Sequence, residues 1–219
     1  MERNQDMRLM DDLSEELNLI VSELNEESSK LVINNETDYR LVAFRGISSY
    51  TKVLLDRLIT NQNAPIEHIA ISARNLFECY LLTVYIIDDP SKAKEFISQK
   101  AFDELEINDG FLFLTTTNTS AEAIKMIQDR NDYINKLTKN FGLTPSRHWT
   151  VRHLALQTDN KIEYDAFFKL YSKYVHPSSW IVNSHDYEYE NPVFKNIFFS
   201  QGQIFTKRIV KLISKYQGK

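Results

Sequence analysis

Three groups of residues have the types and spacing to do chemistry. In "ARNLFECY", Arg74 and Glu78 stand four apart and share one face of a helix. A guanidinium buried there needs a partner, and Glu78 is the nearest one. The couple is either an intrahelical pair set by packing or an anion-facing arginine held by a carboxylate. The second group is His176, the last residue of "YSKYVH" and immediately before Pro177. Its imidazole can act as general base or acid, or simply bond locally at a helix end. The third is "RHWTVRH", Arg147 to His153, the one dense basic and aromatic patch. Arg147 and His153 have a spacing that suits metal-independent RNA cleavage, with a base at the 2′-hydroxyl and a cation on the phosphorane. A surface or packing patch is the alternative. His148 and His153 are five apart, not at the i, i+4 spacing of a helical zinc pair, and no carboxylate or thiol adjoins them. No metal site and no cofactor are expected.

These groups need helices to position them. Leu9 to Lys30 reads as a first, acidic helix with Leu13, Leu17, Ile20, Val21 and Leu24 at three- and four-residue intervals. Thr37 or Asp38 caps a second helix to Ile59, and Asn61 to Asn63 ends it. Ala64-Pro65 opens a third, apolar almost all round beyond Glu78, so its C-terminal half is the predicted centre of the bundle. Asp88 to Ser91 caps a short fourth helix to Leu105. The stretch "NDGFLFLTTTNT" is expected to be an irregular connection, because a lone strand has no partner. Ser120 or Thr119 caps a fifth helix that Gly142 stops. Thr144 and Pro145 open a short helix. Another runs from Ile162 to Val175 and ends at His176, because the residue before a proline avoids the α region. Phe194 to Tyr216 is the last, with Gly202 a candidate kink. On a helical projection, Phe167, Leu170, Tyr171 and Tyr174 face the core. His176 points away from them, toward solvent or a second neighbour such as the Arg74 face.

The whole chain of 219 residues reads as one all-α bundle of about seven to eight helices, without repeats or a domain linker. Five Gly and five Pro support this; average usage would give about 15 and about 11. A net charge of −4 excludes a generic nucleic-acid coat, and no DNA-specific signal is present. The last helix carries Lys207, Arg208, Lys211 and Lys215 with no acid after Glu190. It complements the acidic first helix, within the chain or between subunits, or offers a nucleic-acid surface. The single cysteine, Cys79, lies in an apolar run, which points to a reducing, cytoplasmic setting. "CYLLTVYII" is about half the length of a membrane span, so no membrane partner is expected.

The pairing of "ARNLFECYLLTVYI" with "YDAFFKLYSKYVHPSSW" resembles a bacterial family of uncharacterised helical proteins. That family shows an Arg-x-x-x-Glu helix and a later Tyr…Ser-x-x-x-His-Pro-Ser segment. Arg74, Glu78, Tyr171, Ser172, His176, Pro177 and Ser178 stand at the matching places. The likeness covers residues 43–180. Residues 1–35, a peripheral acidic helix, and the basic helix over 194–217 flank it. The family is similar in turn to the HEPN superfamily of helical bundles, often dimeric, many of them metal-independent RNases of toxin–antitoxin and phage-defence systems. The RNases carry Arg-x(4–6)-His; His176 has only Lys169 and Lys173 before it, and Arg147 with His153 has the spacing outside the shared motif.

The resemblance therefore implies a HEPN-like core, a homodimer and an RNA or nucleotide partner. His176 would be general acid or base and Arg74 the phosphate-facing cation oriented by Glu78. Tyr171, Ser172, Lys173 and Ser178 would bind substrate. The competing classes are a non-catalytic interaction module with a structural Arg–Glu–His cluster, and a nucleotide or small-molecule sensor.

Overall fold

Few helix breakers and long apolar stripes leave the chain one economical way to bury its surface, which is helix on helix. The computed structural model describes residues 2–33, 38–61 and 63–217, with side chains from residue 15 onward. It is all-α, with no strand among the described residues. The long helices are α1 (Glu2–Ser29), α2 (Tyr39–Thr60), α3 (Ile66–Ile86), α4 (Pro90–Phe113), α5 (Ala121–Asn140) and α10 (Pro192–Gln217). Between α5 and α10 lie α6 (Val151–Gln157), α7 (Lys161–Glu163), a π turn (Tyr164–Phe168), α8 (Lys169–Val175), α9 (Ser179–Val182) and a 3-10 turn (Asp186–Glu190).

α3 is the axis. It packs on α2, α4, α6, α8 and α10, and Ile69, Ala70, Ala73, Leu76, Phe77 and Leu81 are fully buried along it. By length and composition α3 could pass for a membrane span, yet 56% of that window is buried inside the bundle. α10 crosses α3 closely because Gly202 presents no side chain. A Cβ there would stand 2.5 Å from Leu58 Cδ2 and 3.4 Å from Leu76 Cδ1. The glycine expected as a kink is a point of close approach within one unbroken helix.

α1 lies on α10 and α2, burying Leu17, Ile20 and Leu24. Leu13 and Thr37, named from the sequence, lie outside the residues whose side chains are described. The opposite charges of the chain ends meet within this one chain. Lys207 pairs with Glu16, and Glu23, Glu26 and Glu27 face Lys207, Lys211 and Lys215 across a shared cleft.

Two expected boundaries are corrected. α4 does not stop at Leu105; it continues through Asn108, Asp109 and Gly110 to Phe113. These are poor helix formers, but α5 supplies partners for them. Asn108 Nδ2 donates to Asn131 Oδ1 at 2.8 Å, Asn131 Nδ2 donates to Asp109 Oδ1 at 3.2 Å, and Arg130 pairs with Glu104. The first half of the expected irregular connection is thus helix, ending in a tip where Phe113 is 89% exposed. The helix expected from Thr144 and Pro145 begins instead at Val151, where the Thr150 side chain accepts from His153 N at 3.2 Å. Residues 143–150 are held off α geometry by contacts with α4. Trp149 Nε1 donates to Glu95 Oε1 at 3.0 Å, and the Ser146 and Ser98 hydroxyls meet at 3.0 Å. Other ends follow the sequence: Asp38, Asp89 and Ser120 cap α2, α4 and α5, and Gly142 leaves α5 with φ +59°.

Candidate functional site

Arg74 and Glu78 project from the α3 face that meets α8 and the π turn. Their ion pair measures 3.3 Å from Nε to Oε1, with the side chains 24% and 30% exposed. The geometry stops short of a hydrogen bond, so the buried Nε has no acceptor. Burial pushes the Glu78 carboxyl above its ordinary value, against the pull of Arg74 and then of His148. The guanidinium carbon lies 4.8 Å from the centre of the Phe168 ring, a cation–π seat at the end of the π turn.

His176 arrives from the other side. Pro177 forces it out of the helix at φ −119°, ψ 151°, and that extended step turns the exposed imidazole toward α3. Arg74 Nη1 and His176 Nε2 stand 3.5 Å apart. The proline and serines behind His176 fix this turn. Ser178 N donates to His176 O at 2.7 Å, and Ser178 Oγ donates to Lys173 O at 3.0 Å while capping α9. One guanidinium, one carboxylate and one imidazole therefore share a half-exposed surface site.

The other sequence-selected residues divide. Lys173 is exposed one turn before His176. Ser172 Oγ donates to Phe168 O at 2.9 Å within its own helix, so its hydroxyl is engaged with backbone. Tyr171 is 0% exposed, packed edge-on to Phe198, and its hydroxyl has no hydrogen-bond partner. It belongs to the core and does not open onto the Arg74 site. Arg147 and His153 diverge. Arg147 Nη2 lies 3.8 Å from Glu106 Oε1 and over Phe102, while His153 Nε2 meets the Tyr85 hydroxyl at 3.4 Å. Tyr85 is on the same α3 face as Arg74 but three turns on, about 16 Å along the axis.

Sequence reasoning missed Phe168, the platform beneath Arg74, and the cluster of Tyr85, Trp149 and His153. A projection at 100° per residue assigns Phe168 the wrong bearing because the π turn widens the helix locally and shifts its register. Trp149 was visible inside "RHWTVRH", but nothing in the sequence sets it 4.9 Å from Tyr85. Among the described residues, no group of three His, Cys, Asp or Glu side chains is arranged to hold a metal ion.

An all-helical bundle with a surface Arg–Glu–His cluster between a central helix and a His-Pro turn is the class that fold and site define. Residues 55–189 match the family of unknown function DUF5677, and the chain belongs to that family. The match takes in Arg74, Glu78 and His176. No curated protein and no solved structure matches the chain.

Proposed function

We propose that the Arg74–Glu78–His176 cluster acts on RNA, binding a backbone phosphate and cleaving beside it without a metal ion, as a HEPN-like protein of defence or toxin type. The observation that carries this reading is the 3.5 Å approach of Arg74 Nη1 to His176 Nε2 on an accessible surface. An anion that reaches both the exposed imidazole and the guanidinium Nη1 gains from both. Glu78 orients the guanidinium. His176 would take the 2′-hydroxyl proton or protonate the leaving oxygen, while Arg74 stabilises the phosphorane. A π turn beside the cluster fits a functional site, where such turns concentrate. Lys173 extends the cationic surface. A homodimer, implied by the HEPN resemblance, belongs to the same proposal and is read by sedimentation velocity.

The test is incubation with single-stranded RNA in EDTA, comparing the wild type with His176→Ala and Arg74→Ala. Metal-independent cleavage that drops by about 100-fold or more in His176→Ala is the expected result. Intact RNA with the wild type, or equal cleavage by the variant, overturns it. The Phe168 seat of Arg74 favours a second reading, a structural polar cluster in an interaction module. No cleavage, together with a melting temperature several degrees lower in the variants, would select that reading.

A further inference from the structure

We infer that the cleft between α2, α4 and α5 is a binding site for a small amphipathic anion, one apolar body with one acidic head group. It shares no residue with the Arg74 cluster and does not depend on the RNA reading. Its volume of about 630 Å³ lies in the range of small-molecule sites.

α4 packs on both α2 and α5, and the cleft opens along that line. One end is pinned by the Tyr39 hydroxyl, which donates to Phe141 O at 2.8 Å and so ties the start of α2 to the end of α5. The α5 wall is one continuous stripe, Arg130, Tyr133, Ile134, Leu137, Thr138 and Phe141, at the i, i+3, i+4, i+7 spacing that normally faces a core. Here the stripe is only partly covered. Ile134 and Thr138 are buried against α4, but Leu137 is 40% exposed. Ile97 and Ala101 continue the apolar floor from α4.

The rim is cationic, and its charges are unequal in their partners. Arg130 is neutralised by Glu104. Arg45 on α2 is exposed and forms no ion pair with a carboxylate among the described residues; Lys100 on α4 is exposed and shares the field of Glu104 with Arg130, so three cations stand against one carboxylate. An apolar trough whose rim carries cations in excess of its one carboxylate selects a ligand with an apolar body and an acidic end. A neutral or cationic ligand of the same body would leave those charges unmatched.

The experiment is isothermal titration of the full chain with four ten-carbon probes: decanoate, decyl phosphate, decanol and decylamine. We expect one-to-one binding of at least one anion, with decanol and decylamine weaker by about tenfold or more. The tighter anion assigns the head group as carboxylate or phosphate. Arg45→Gln/Lys100→Gln changes two exposed side chains and keeps the fold; it should lower anion affinity about tenfold and leave decanol unchanged. Ala101→Phe, which fills the floor, should abolish binding of every probe. Equal binding of decylamine, unchanged anion affinity in the double variant, or no heat from either anion at millimolar concentration overturns the assignment.

Discussion

Arg74 Nη1 and His176 Nε2 meet at 3.5 Å across 102 residues of sequence. A guanidinium only donates, so a hydrogen bond in this contact would use the lone pair of Nε2. The exposed imidazole is thus held beside a permanent cation at the protein surface. No carboxylate links to His176 among the described residues, so Arg74 is the side chain that sets its surroundings.

Because Arg74 sits over Phe168 while its side chain reaches both Glu78 and His176, lysine cannot replace it. Arg74→Lys should weaken binding of a short single-stranded RNA by about tenfold in fluorescence anisotropy while keeping the net charge. Equal affinity for the two proteins would show that charge alone matters there.

Tyr171 carries a buried hydroxyl without a partner, and burial drives its phenol well above the ordinary value. Tyr174 is pushed up to about 12, chiefly by burial and against a smaller pull from Trp180. A phenol whose pKa is raised on folding holds its proton longer in the native state, so stability falls as pH climbs from 10 toward 12. Tyr171→Phe and Tyr174→Phe should each flatten that alkaline loss. At neutral pH Tyr171→Phe should leave stability unchanged or raise it by about 1 kcal/mol, without effect on RNA cleavage. A marked loss of stability in urea titrations would reveal a partner for the hydroxyl.

Gly202→Ala places a methyl 2.5 Å from Leu58 Cδ2, and Leu58 is fully buried. The overpacking costs about 1–3 kcal/mol, more than the helix propensity gained over glycine, about 1 kcal/mol. The variant should be destabilised by about 1 kcal/mol. In a Leu58→Ala background the same change should become stabilising, because the obstructing methyl is gone. Simple additivity of the two substitutions would contradict the close crossing of α10 and α2.

Asp165 is partly exposed and bracketed by Lys161 and by Lys169 at 2.9 Å, which together lower its carboxyl to about 2. A carboxyl depressed on folding stabilises above its unfolded value of 3.8 and loses that contribution as pH falls toward 2. Asp165→Asn should melt below the wild type at pH 6, with the gap closing between pH 4 and pH 2. High salt should narrow it at any pH, since the charges are solvent-screened.

Much of the bundle is legible in the residues. Alternation at three and four positions marks α1, α2, α3, α5 and α10, and Asp38, Asp89, Ser120 and Gly142 punctuate them by chemistry that acts within one turn. The helix stop at His176 also follows from a local rule, the steric conflict of Pro177 with α geometry. Where partners from another helix override local propensity, the sequence misleads. Asn108 and Asp109 stay helical because Asn131 bonds to both, and residues 143–150 stay out of the helix where Trp149 reaches Glu95.

The sequence by itself determined that Arg74 and Glu78 share a face and that His176 turns away from the core, since both depend on helical period and one proline. Only the tertiary structure decided that this face and that turn meet, that Phe168 lies beneath the guanidinium, and that Arg147 and His153 part company. The reason is that the approach of α8 to α3 is set by side-chain packing across the core and by the register shift of a π turn. Neither is encoded at any single spacing along the chain.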